Sequence, residues 1–70
     1  MDIKSPSVGK VLRVTHQAGA QVARGEELMV IESMKVEIPI RAPGGGRVAE
    51  IRVKAGDQIQ RGMVLATMES

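Results

Sequence analysis

The apolar positions of this 70-residue chain fall in short runs punctuated by glycine, with no helical periodicity. Val36-Glu37-Ile38-Pro39-Ile40-Arg41 alternates apolar and polar with period two, as a half-buried strand does. The alternation predicts that Val36, Ile38 and Ile40 face a core. Pro39 cannot donate to a ladder, so its nitrogen should point away from a partner strand. Other strand-like runs, rich in Val and Ile, are Met1–Lys4, Gly9–Val14, Glu27–Ser33, Arg47–Val53 and Met63–Met68. Leu28-Met29-Val30-Ile31 is apolar without alternation, which fits a strand covered in part on both sides or one wrapped into a sandwich.

The pattern occurs twice. A shift of 37 positions lays Met1–Ser33 on Ile38–Ser70 without a gap, and twelve of the 33 aligned positions are identical. Ordinary composition would give about two. The turns repeat as well: Ala18-Gly19-Ala20-Gln21-Val22-Ala23-Arg24-Gly25 matches Ala55-Gly56-Asp57-Gln58-Ile59-Gln60-Arg61-Gly62. These glycines supply the positive φ of tight turns, and no helix follows them to make a phosphate cradle. Two copies of four short strands predict an all-β fold. It is a flattened eight-stranded antiparallel barrel or sandwich, a barrel-sandwich hybrid with a pseudo-two-fold internal repeat. A single domain spans 1–70, with halves 1–33 and 38–70 and a joint at 34–37. Ser33-Met34-Lys35-Val36 is then a hairpin between the fourth and fifth strands. The chain ends should meet at the opposite end of the molecule.

Composition narrows the function. Seventy residues make one domain that buries only about 60% of its unfolded surface. There is no Cys and no aromatic residue, so Val, Ile, Leu, Met and Ala must build the core. With no Cys and only His16, a zinc set is excluded. His16 aligns with Val53, which predicts a packed structural role. No serine stands in a recognised spacing from a base, so the chain offers no nucleophilic catalysis of its own. The formal charge is +2, with scattered cations and no ring for a base to stack on, which argues against nucleic-acid binding. No apolar stretch reaches the ~20 residues of a bilayer span. Met1-Asp2-Ile3-Lys4 has no signal-peptide pattern, so the expected location is cytoplasmic.

Lys35 stands out because the repeat leaves it unmatched, at the joint. A lysine in a turn is ordinarily a solvated cation. Here it follows Met34, where Asn-Gly or Asp-Gly is the physical default for a tight hairpin. A Met at such a tip marks a surface meant to be touched. Glu32 and Glu37 flank the pair.

These residues carry a resemblance. Glu32-Ser33-Met34-Lys35-Val36-Glu37-Ile38-Pro39-Ile40, followed by Arg41-Ala42-Pro43 and a glycine run, resembles the attachment motif of biotinyl carrier domains, whose usual core is Ala-Met-Lys-Met. The resemblance extends over essentially the whole chain, the repeat and its glycine turns included. It implies the eight-stranded fold and a non-catalytic carrier. It also implies biotin joined covalently to Lys35 by a biotin protein ligase. The carrier takes carboxylate from a biotin carboxylase to a carboxyltransferase. Met34, Val36, Glu32, Ser33 and Glu37 become the flanking recognition residues. The carrier itself is expected to be monomeric and not inserted in a membrane.

The departures from the motif are Ser33 for Ala, a small-for-small change, and Val36 for the second Met. Related lipoyl domains carry Asp-Lys followed by Ala or Val, so position 36 leans to lipoate while position 34 leans to biotin. The Val14–Val22 region has no insertion, unlike the bacterial acetyl-CoA carboxylase carrier. A lipoyl or dual carrier is the first alternative. An unmodified interaction module, with Met34 in an apolar contact and Lys35 as a rim charge, is the second.

Overall fold

The computed structural model describes residues 1–69, so Ser70, the last partner in the repeat, lies outside the described residues. Eight strands run in order: β1 (Asp2–Lys4), β2 (Gly9–Val14), β3 (Gln21–Val22), β4 (Glu27–Ser33), β5 (Val36–Arg41), β6 (Gly46–Ile51), β7 (Gln58–Ile59) and β8 (Val64–Met68). Among the described residues there is no helix. All pairings are antiparallel, in two four-stranded sheets ordered β1-β8-β6-β3 and β5-β4-β2-β7. A shift of 37 residues carries β2 onto β6 and β3 onto β7, and turns one strand order into the other. The duplication is therefore a pseudo-two-fold that exchanges the sheets, each of which takes strands from both halves.

The halves also exchange backbone hydrogen bonds. Gly19 N–H donates to Val48 O, and Gly56 N–H returns the bond to Val11 O, both at 2.8 Å. Gly25 N–H donates to Ala42 O at 2.8 Å, and Gly62 N–H to Ser5 O at 2.9 Å. Gly19 and Gly56 have φ of 94° and 95°, a backbone that side-chain-bearing residues rarely adopt. At both positions only glycine turns the N–H across to the other half without strain.

The unalternating run in β4 is explained by a bulge. The pairing of β4 with β5 steps from Glu27–Arg41 to Met29–Ile40, leaving Leu28 as the extra residue. An extra residue lets consecutive side chains turn to one side. Leu28 and Met29 are both wholly buried in the core, and Leu65-Ala66 repeats the arrangement in β8. Val30, outside that core cluster, is 2% exposed between its cross-strand neighbours Arg13 and Pro39. The core is aliphatic and thioether throughout, as the composition required. β5 is an edge strand, which tolerates the missing N–H of Pro39. Met1 and Met68 exchange two backbone bonds, so the first residue lies beside the end of β8.

One expectation needs correction. Ile40 is buried, Ile38 is only partly buried, and Val36 is 59% exposed. The alternation is real, but β5 is the edge strand: at the tip Ser33 on β4 is buried, while Val36 opposite it is left uncovered. Stability should follow that gradient. Leu65→Ala is expected to cost roughly 2–5 kcal/mol, the range for deleting a buried aliphatic side chain, and Ile38→Ala clearly less. Thermal melts compare them. Equal losses would mean that the base of the hairpin is packed as tightly as the centre of the barrel.

Candidate functional site

The chain turns from β4 into β5 through two residues, Met34 and Lys35, closed by the Ser33–Val36 pair. Their φ values are 53° and 66°. Positive φ at both central positions is the type I′ hairpin turn, whose twist matches that of the flanking strands. Neither residue is the glycine or asparagine that this geometry favours. The left-handed region costs an ordinary residue roughly 1–2 kcal/mol. The ladder on either side holds the turn in place against that cost.

Met34 is 93% exposed and gains nothing from the core. Lys35 is exposed too, and among the described residues it enters no side-chain hydrogen bond or ion pair. The turn therefore presents a free amine beside an uncovered thioether. Among the described residues there is neither a cavity nor a cluster of three or more metal-ligating side chains. What the site offers chemically is a projecting primary amine.

The other flanking residues divide. Glu32 and Glu37 sit directly opposite each other across the hairpin, a like-charge pairing that is unfavourable alone. Lys10 stands opposite Glu32 on β2, and Arg13 Nη1 reaches across β4 to Glu37 Oε1 at 3.8 Å, so two cations border the two acids. Val36, like Met34, is exposed. Ser33 is different. It is buried, and its Oγ lies 2.8 Å from the Oγ of Ser7 in the β1–β2 connection. Exchange with Ala is therefore not neutral here. Sequence reasoning also passed over Ser7 and Val8, which the fold brings alongside the hairpin. Apolar Val8, standing outside the strand-like runs, was the one visible signal.

His16 lies at the other end of β4. Its Nδ1 is 2.8 Å from Glu27 O and its Nε2 is 2.8 Å from Glu26 Oε2, which ties the β2–β3 connection to the start of β4. This is the structural role expected of it.

The strain in the turn is measurable. Replacing Met34-Lys35 by Asn-Gly should raise stability by about 1 kcal/mol, since both residues accept positive φ. Lys35→Ala exchanges one side-chain-bearing residue for another and should change stability by no more than about 0.5 kcal/mol. Urea denaturation of the two variants tests both values. A less stable Asn-Gly variant would show that Met34 or Lys35 stabilises the turn in a way the geometry does not reveal.

Similarity to known proteins agrees with this arrangement. The biotin/lipoyl family model, described as "Biotin-requiring enzyme", matches residues 1–68. The chain is 41% identical over 39 residues to a "Biotinylated protein TB7.3 homolog" of Mycobacterium leprae, a match covering 56% of this chain and 55% of that protein. It is 40% identical over 40 residues to the "Biotin/lipoyl attachment protein" of Bacillus subtilis, covering 57% and 55%. The matched segments thus span about half the length of these relatives. Among solved structures, urea carboxylase of Kluyveromyces lactis superposes with a TM-score of 0.93 at 28% identity, covering 99% of this chain and 6% of that one. The lipoyl domain of the 2-oxoglutarate dehydrogenase complex from Azotobacter vinelandii superposes at 0.87 with 30% identity, covering 100% and 96%. With eight strands in two interleaved sheets and a family match over nearly its full length, this chain belongs to the biotin/lipoyl attachment family of carrier domains.

Proposed function

We propose that Lys35 carries covalently bound biotin and that the chain is a carboxyl carrier between a biotin carboxylase site and a carboxyltransferase site. The observation that carries the reading is the Met34-Lys35 turn: an amine with no partner among the described residues, at the apex of a strained two-residue hairpin, beside an exposed methionine. The biotinylated relative and the carboxylase neighbour support it. The tip fits such a load, because Lys35 is exposed and its amine enters no contact among the described residues.

Attached biotin would supply the chemistry that takes up carboxylate at one active site and releases it at another. The chain's own part is presentation. A biotin protein ligase, using ATP, offers the biotin carboxyl as a mixed anhydride with a phosphate group. Lys35 loses one proton, and its nitrogen bonds the carboxyl carbon. The anhydride C–O bond breaks, the phosphate group departs, and a second proton leaves to give the amide. The formal charge falls from +2 to +1. The barrel holds the amine in one place, and a long flexible side chain makes transfer between sites an intramolecular search at raised effective concentration.

A lipoyl carrier is the second reading. It is favoured by Val36 and by the likeness to a lipoyl domain over nearly that domain's whole length. Intact mass after expression with each ligase separates the two. Peptide mapping should place the label on Lys35 alone, and Lys35→Ala should abolish it. Label on Lys4, Lys10 or Lys54 would sink the assignment. Met34→Asp should lower biotinylation and raise lipoylation, whereas Val36→Met should change biotinylation little. A large change in acceptance by either ligase on Val36→Met would put position 36, not 34, in charge of the choice.

A further inference from the structure

Three apolar side chains are exposed around the tip: Met34 at 93%, Val36 at 59% and Val8 at 57%. Two belong to the hairpin itself. Val8 comes from the β1–β2 connection, and a set of serine contacts brings it there. Ser5 Oγ donates to Ser7 O at 2.6 Å and accepts from Ser7 N at 3.3 Å, closing the connection into a compact turn. Ser7 Oγ then meets Ser33 Oγ at 2.8 Å, one residue before Met34. Gly9 completes the approach: a Cβ there would collide with the Glu32 carbonyl oxygen, so the chain passes hard against β4.

The repeat provides an internal control. The residues aligned with Ser5 and Ser7 are Ala42 and Gly44. The connection at the far end of the barrel, Ala42-Pro43-Gly44-Gly45, has no hydroxyl with which to form such a contact, although the surrounding backbone is duplicated. The hydroxyl pair thus occurs in the copy that lies beside Lys35.

We propose that Ser33 and Ser7 are positioning residues for modification of Lys35. Their hydrogen bond holds Val8 against the Met34-Lys35 turn, and Val8, Met34 and Val36 then form one apolar face on which the modifying ligase seats. This rests on the reading of Lys35 as the acceptor. An enzyme that reaches the Lys35 amine must cover a turn of only two residues and whatever adjoins it. The surface it meets is apolar, with the Glu32–Glu37 pair at its rim. A tethered Val8 contributes apolar contact without an ordering cost on binding, and a loose one does not.

The test uses the whole chain with biotin protein ligase, biotin and ATP, under steady-state conditions. Ser7→Ala and Ser33→Ala should each raise KM for the carrier about three- to tenfold, the effect of losing one hydrogen bond, with kcat little changed. The double variant should be no worse than the poorer single one, because both remove the same bond. Ser7→Thr keeps the hydroxyl and should restore KM. The Val8 amide signal should shift or broaden in both alanine variants and recover in Ser7→Thr. Unchanged KM in both alanine variants, additive effects, or a loss confined to kcat would each overturn the proposal. A wild-type chain that takes biotin normally while the variants match it removes only the serine clamp. A wild-type chain that neither biotin nor lipoate ligase modifies removes the acceptor reading and the clamp together. If lipoate is the load, the same KM split with lipoate ligase decides.

Discussion

The fold depends on the exchange of backbone hydrogen bonds between its two halves. Gly19 and Gly56 each turn an N–H onto a strand of the other half, and Gly25 and Gly62 each donate to the residue just past a strand of the other half. Neither half has a closed set of partners by itself, and neither sheet can be built from one half alone. Buried backbone groups left unpaired are costly, so the two copies stand or fall together. The constraint is severe because the core is small and has no aromatic residue to contribute large buried area. An interlocked backbone and wholly buried Leu28, Met29, Ile31, Ile59 and Leu65 supply the order that a larger core would otherwise provide.

That rigidity is what lets a strained turn persist. Met34 and Lys35 adopt a backbone that suits other residues better, and they keep it because β4 is paired on both sides, to β2 and to β5. Strain held by an over-determined surrounding is a frequent mark of a working site. The physical division of labour is plain. The barrel fixes where the tip is, and the two tip residues contribute little to folding. The acids beside it are held in the same frame, where Lys10 and Arg13 border the Glu32–Glu37 pairing.

The two-fold is broken at both ends of the barrel. His16 replaces a buried valine with a hydrogen-bonded ring at one end, bracing the connection next to β4. At the other end the serines of the β1–β2 connection have no hydroxyl-bearing counterparts. Duplication supplies a frame with two similar ends, and a few side chains then make the end that bears the lysine unlike its twin.

Much of this was legible in the residues. Twelve identities across a shift of 37 positions determine the number of strands, the glycine turns and the position of the joint, because backbone geometry repeats where sequence repeats. Period-two alternation and Pro39 identify an edge strand, since both follow from the pleat and from the missing N–H. The Met34-Lys35 pair marks the tip, because nothing in hairpin physics would choose it. What the residues could not reveal depends on partners distant in the chain. Val36 and Ile38 alternate as core residues do, yet their exposure is decided by the place of β5 at the edge of its sheet. Leu28 and Met29 share the core because of a bulge that pairing creates. Ser33 reads as a small residue equivalent to alanine until Ser7, 26 positions away, is set beside it. Local pattern determined what each segment is, while the packing of one half on the other decided which side chains meet, since contact between distant residues is a property of the closed barrel alone.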